Sequence, residues 1–330
     1  MSFHSDNCSG ASPEVMAAIL EANEGAAQSY GDDAIMDAAR ARIREVFEAP
    51  EAAVYLVATG TAANSLAMSI SCPPWGAMFA HRNAHVIIDE CGAPEFFTNG
   101  AKLIPVEGDD GRITPETLAL ALTRIVQGDV HSVQRGMLTL TNVTEAGTVY
   151  GAADVAALTA IARANGMPSH MDGARFANAI VATNASPAEM TWRAGVDVLS
   201  FGGTKNGCMG VEAVVIFDPA KAWEFELRRK RGGHLFSKHR YLSAQMLAYL
   251  AKDHWLKNAR NANRMAALLA AGLADAGIPL RSPVQANMLF PLWPDSRAQH
   301  PASALMEDRL VTSWNTTTAD VTGFLAAVSA

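Results

Sequence analysis

The chain has 330 residues, and 26 lysines and arginines against 33 aspartates and glutamates give a formal net charge of −7 at pH 7. Hydrophobic residues make up 49% and charged residues 18%, below the roughly 25% usual for globular chains, which excludes an intrinsically disordered polypeptide. At roughly 100–200 residues per domain the length predicts two domains, and the acidic balance leaves no electrostatic footprint for nucleic acid.

Helical and strand patterns alternate from early in the chain. Ser12-Pro13-Glu14 predicts a helix start, with a cap, a proline at the first position and a carboxylate in the first turn. That helix ends near Gly25, and an alanine-rich one covers Asp33 to Glu48. Val54–Val57 reads as a buried strand, and Gly60-Thr61-Ala62-Ala63-Asn64 opens a helix through Ile70. Val86–Ile88 and Leu103–Val106 read as strands around a helical Ala93–Thr98. Thr114–Val126 is predicted helical, Met137–Leu140 a strand, and Ala152–Ala164 a helix ending at Gly166. Short apolar runs follow before Asp172, at Val196–Phe201 and at Val214–Phe217.

Such alternation implies parallel pairing and a three-layer α/β domain, whose chemistry collects at the carboxyl ends of the strands. After a loop at Lys230-Arg231-Gly232-Gly233-His234 the pattern changes. A long helical stretch with room for breaks runs from Arg240 through Leu273, then short strands at Met288–Pro291 and Leu310–Trp314, then a helix over Ala319–Val328. The expected organisation is an arm over 1–15, a large domain over 16–239 and a small α+β domain over 240–330. No run approaches the roughly 20 apolar residues of a membrane helix, and MSFHSDNCSG lacks the basic-then-apolar pattern of a signal peptide. Cys8, Cys72, Cys91 and Cys208 are widely spaced and read as reduced thiols of a cytoplasmic protein, with no metal site.

Four segments carry chemistry. Ser200-Phe201-Gly202-Gly203-Thr204-Lys205-Asn206-Gly207 puts one lysine in a glycine-rich turn after a strand. Partial desolvation there lets an amine lose its proton and attack a carbonyl; the plain alternative is a solvated loop lysine. Asp172, in His170-Met171-Asp172-Gly173-Ala174-Arg175, can point into a cleft and hold a pyridinium nitrogen protonated, or simply cap a helix. Gly60 and Thr61 sit where a strand turns into a helix, a ready anion site or an ordinary connection. His85 either stacks on a flat ring or is a satisfied rim residue. In this chain order the four fit a pyridoxal phosphate enzyme.

At these residues the chain resembles the threonine aldolase family. The similarity runs through HSDNCSG, YGDD, ATGTAAN, HVIIDECGAPEFF, TEAGTVYG, HMDGARFANA, SFGGTKNG, GGHLFSKHRYLSAQ and RLVTSWNTT, and spans nearly the whole chain. It implies the aspartate-aminotransferase-like fold of pyridoxal-phosphate enzymes (fold type I), with a mainly parallel sheet and helices on both faces. It implies pyridoxal 5'-phosphate bound covalently by Lys205, paired with Asp172, stacked under His85 and held by Gly60, Thr61 and Thr204. Ser5, Arg175 and Arg309 would bind the substrate carboxylate, and His131 would be a second acid/base histidine. Lys238, with Lys230, would reach a neighbour's phosphate in a homotetramer, with Tyr30 near a neighbouring site. The implied reaction is retro-aldol cleavage of L-threonine, L-allo-threonine or phenylserine to glycine and an aldehyde. A serine hydroxymethyltransferase-like, racemising or β-eliminating enzyme would share the scaffold. PLWPDSRAQHPASALMEDR is shorter than the family usually shows, implying a reduced small domain.

Overall fold

The computed structural model describes residues 3–329. In chain order the first elements are α1 (Pro13–Ala22), α2 (Ala34–Val46), β1 (Ala53–Val57), α3 (Gly60–Ser71), β2 (Gly76–His81), α4 (His85–Ile88) and α5 (Ala93–Phe97). There follow β3 (Lys102–Val106), α6 (Pro115–Thr123), β4 (Gln134–Thr141), α7 (Ala152–Ala164), β5 (Ser169–Gly173), α8 (Phe176–Thr183) and α9 (Pro187–Met190). The rest are β6 (Val198–Gly202), β7 (Glu212–Ile216), α10 (Ala222–Arg231), α11 (Arg240–Leu250), α12 (His254–Asp275), β8 (Met288–Leu289), β9 (Leu310–Val311) and α13 (Thr318–Val328).

The first seven strands form one sheet in the order β1-β7-β6-β5-β4-β2-β3. Only β7 runs against its neighbours, β1 and β6; the other pairs are parallel. Both faces are buried, as parallel sheets require. In β1, Val54 and Leu56 join the core beneath α2, α7 and α11, while Tyr55 and Val57 face α3 and α10. Ala213 and Val215 of β7 alternate with Val214 and Ile216 between the same two cores.

Local signals start the helices where the sequence places them. Ser12 accepts from Val15 N at the start of α1, and Asp33 from Ile35 N and Met36 N at the start of α2. Two readings change. Val86–Ile88 is a single helical turn, and the strand lies earlier, at Gly76–His81. Its sequence, GAMFAH, has no β-branched residue, so burial rather than propensity makes it a strand. Lys230 and Arg231 belong to α10, a strongly charged helix that buries only Phe225 and Arg229.

The long helical stretch breaks at Ala251–Asp253, where Lys252 and Asp253 take positive φ. Leu242, Met246 and Tyr249 of α11 join the large core; Met265, Leu269 and Leu273, late in α12, join a second core with Leu289, Leu310 and Phe324. Phe3 packs into that second core, and its carbonyl accepts from Val311 N at 2.7 Å. Between Pro291 and Arg309 run two short 3-10 turns, Asp295–Gln299 and Ser303–Leu305.

Candidate active site

The carboxyl ends of β1, β4, β5 and β6 and the amino end of the reversed β7 meet at one edge of the sheet. Over that edge lies a cleft of about 610 Å³. Ser5, Gly60, Thr61, His85, Asp172, Arg175, Thr204, Lys205 and Arg309 all line it. The carboxyl-terminal part of the chain contributes Met288 and Phe290 as well as Arg309.

Lys205 follows β6 in a 3-10 turn that ends at Gly207, φ +108°. The turn needs a glycine at Gly202, where a Cβ would sit 2.4 Å from the Ala174 carbonyl oxygen. The positive charge of Arg175, and then burial, lower the Lys205 ammonium below its ordinary value, towards the neutral amine. Asp172 ends β5 and is held on both oxygens: Asn64 Nδ2 donates to Oδ2 at 2.9 Å and Ala174 N to Oδ1 at 2.9 Å.

Thr59 caps α3, its hydroxyl accepting from Ala62 N at 3.2 Å. The first amides, of Gly60 and Thr61, have no partner within the helix and carry its positive dipole end. A Cβ on Gly60 would meet no atom within 4 Å, so space is left for a ligand against this terminus. Thr204 accepts from Val211 N at 3.1 Å, which ties the lysine turn to β7.

His85 opens α4. Its backbone N donates to Glu145 Oε1 at 2.7 Å, and its ring Nδ1 lies 2.8 Å from Glu90 Oε1. The bond to Glu90 raises the imidazole above its ordinary value, against burial. Arg175 is forked onto Asp6, with Nε at 2.7 Å from Oδ2 and Nη2 at 2.9 Å from Oδ1. Asn287, just before β8, donates to the same carboxylate at 3.1 Å. Burial alone would raise Asp6, but Arg175, Lys205 and Asn287 together hold it below its usual range. Arg309 Nη2 donates to the His4 carbonyl at 3.3 Å.

Three expected site residues are not brought to the cleft of their own chain. His131 lies on the exposed turn before β4, at the amino end of a strand whose carboxyl end, Thr141, lines the cleft. Tyr30 and Lys238 lie on another exposed face, where Tyr30 N donates to the Ser237 carbonyl and Lys230 Nζ sits 4.8 Å above the Tyr30 ring. Sequence reasoning missed the groups that support the site. Asp6, Asn64, Glu90 and Glu145 lie within the matched stretches but are given no role there, and Glu212 lies outside them. Glu212 accepts from Gly203 N at 3.0 Å, and burial pushes its carboxyl up to about 7, as it does that of Glu145. A polar residue kept inside an apolar run, as in Glu212-Ala-Val-Val-Ile, was the available signal.

Comparison with known proteins agrees with this geometry. The beta-eliminating lyase family matches residues 2–293. The low specificity L-threonine aldolase of Pseudomonas aeruginosa is 45% identical over 290 residues, covering 87% of this chain and 83% of that protein. The threonine aldolase structure from Leishmania major superposes with a TM-score of 0.92 at 27% identity, covering 99% of this chain and 98% of that one. The serine palmitoyltransferase of Sphingomonas wittichii, at 15% identity and a TM-score of 0.71 over 99% of this chain and 85% of that one, shares the fold alone. The chain therefore has the type I fold of pyridoxal-phosphate enzymes and belongs to the beta-eliminating lyase family, in the group of the low-specificity threonine aldolases.

Proposed function

We propose that the protein is a pyridoxal-phosphate-dependent aldehyde-lyase cleaving L-threonine and L-allo-threonine, and other β-hydroxy-α-amino acids such as phenylserine, to glycine and an aldehyde. One observation carries this reading: Lys205, Asp172, His85 and the amino end of α3 converge on a single cleft. The residues fit the cofactor, because a lysine of lowered basicity, a buried carboxylate and an open helix terminus are what an aldehyde, a pyridine nitrogen and a phosphate require. Bound there, the cofactor accepts the electron pair released when the Cα–Cβ bond breaks.

The protein's own groups do the rest. Lys205 would supply the amine that holds the cofactor at the place the substrate amine must reach. Asp172, steadied by Asn64 and the Ala174 amide, keeps the proton on the pyridine nitrogen. Gly60, Thr61 and Thr204 hold the phosphate. Ser5, Arg309 and the edge of Arg175 left open by Asp6 bind the substrate carboxylate. His85 takes the proton from the β-hydroxyl oxygen and returns one as glycine forms.

We further propose a cytoplasmic homotetramer with the domain limits expected from the sequence, in which Tyr30 and Lys238 serve a neighbouring copy. Phe96, Trp223 and Leu227 are 76%, 69% and 52% exposed on α5 and α10, apolar surface suited to burial between copies. No helix among the described residues is long and apolar enough to cross a membrane. Incubation with L-threonine, L-allo-threonine and L-serine tests the reaction. Equimolar glycine and acetaldehyde from the first two substrates is the expected result. Pyruvate and ammonia without glycine would replace it with a β-elimination.

A further inference from the structure

Behind His85 lies a buried carboxylate, Glu90, that the reaction as described does not use. After α4 the chain turns through Cys91 and Gly92, both at positive φ, and this folds Glu90 inward. Glu90 is 3% exposed although Asp89 and Cys91 on either side are exposed. Its Oε1 is 2.8 Å from His85 Nδ1 and accepts from Asn64 Nδ2 at 2.8 Å. The same Asn64 nitrogen donates to Asp172 Oδ2. Glu90 Oε2 and Asn64 Oδ1 are buried without a hydrogen-bond partner, so Oε1 is the atom through which this carboxylate acts.

We propose that Glu90 is the positioning residue of the proposed aldolase reaction, holding neutral His85 as the Nδ1–H tautomer so that Nε2 is the atom that takes the hydroxyl proton. The inference rests on the function proposed above. The physical reason is the donor count. Glu90 Oε1 faces two nitrogens; Asn64 spends one N–H on each carboxylate, and the imidazole supplies the remaining donor to Oε1. A histidine whose second nitrogen is tied to a carboxylate has its ring orientation and basicity set by that bond. The charged groups facing His85 are Glu90, Asp172 and Glu145, which favour imidazolium, and Lys205, which opposes it. Asn64 links the two sides of the site, since one amide group touches both the carboxylate behind His85 and the carboxylate assigned to the pyridine nitrogen.

The test uses the full chain, labelled with 15N-histidine, with and without pyridoxal phosphate, and His85→Asn to assign the signal. At alkaline pH the wild-type His85 ring should carry its proton on Nδ1. A proton on Nε2 overturns the proposal whether or not the protein cleaves threonine. Glu90→Gln keeps the shape and removes the charge, so the His85 titration midpoint and the acid limb of the kcat/KM profile should both fall by about 1 pH unit. Glu90→Leu should lower kcat roughly 10–100-fold while KM and the visible spectrum of the bound cofactor stay near wild type. Equal losses in KM and cofactor affinity would mark a merely structural residue, and an unshifted midpoint in Glu90→Gln would also overturn the proposal. Should either variant fail to fold, the wild-type tautomer decides alone. Wild-type protein that releases no glycine from threonine would instead remove the function proposed above.

Discussion

Replacing Asp6 measures how firmly the amino-terminal arm is locked over the cleft. Asp6 is 2% exposed and the Arg175 side chain 11%, so the fork between them works with little screening by water. Its two bonds, 2.7 and 2.9 Å, are charge-assisted, and deleting one partner of such a buried pair costs about 3–5 kcal/mol. Asp6→Ala removes both acceptors and strands the guanidinium, which predicts a loss of about 4 kcal/mol at pH 7. Asp6→Asn keeps one carbonyl acceptor and loses the charge, which predicts about 2 kcal/mol. Because the folded protein holds the Asp6 carboxyl below its ordinary value, the pair stabilises fully above that ordinary value. The contribution is then lost as the pH falls through the folded one. Urea unfolding should therefore show a constant gap between wild type and Asp6→Ala from neutrality down to about pH 5, closing under more acid conditions. A gap below about 1 kcal/mol at pH 7, or one that widens on acidification, would mean that the Asp6–Arg175 pair does not hold this segment in place.

Other outcomes follow from single features. Gly202→Ala drives a methyl group to 2.4 Å from the Ala174 carbonyl, which should cost about 1–3 kcal/mol and displace Lys205; thermal unfolding and pyridoxal-phosphate affinity both read it. Glu212 is a carboxyl whose folded pKa is raised to about 7, so it weakens the native state as the pH climbs from the ordinary carboxylate range to that value. Glu212→Gln should thus gain stability relative to wild type over that interval and hold the gain above it; a flat difference would count against a buried, titrating carboxyl. Trp223→Glu combined with Leu227→Glu should lower the mass measured by light scattering, since it puts two carboxylates on the apolar face of α10.

Much of the fold is legible in the sequence because each element is announced locally. Ser12, Asp33 and Thr114 cap helices through their own hydroxyl or carboxylate oxygens, and β1, β6 and β7 are short, largely apolar runs bounded by polar turns. What escapes is what neighbours in space decide. β2 is a strand because β3 and β4 flank it and its side chains are buried, not because Gly-Ala-Met-Phe-Ala-His prefers one. α10 hides because its buried pair, Phe225 and Arg229, is half arginine, whose guanidinium lies over the Tyr55 ring and donates to the Leu56 carbonyl. The site divides in the same way. Lys205, Asp172 and Gly60 each stand where a strand ends, a position readable from pattern. Asn64 finds Asp172 across 108 residues and Arg175 finds Asp6 across 169, partnerships that only the folded chain reveals.

The proposed chemistry stands on the Lys205 amine carrying the cofactor. Borohydride reduction of the pyridoxal-phosphate-loaded protein, followed by digestion and mass spectrometry, tests it directly. A stable phosphopyridoxyl adduct is expected on the peptide containing Lys205 and is lost in Lys205→Ala. An adduct on another lysine, or none at all, would contradict it.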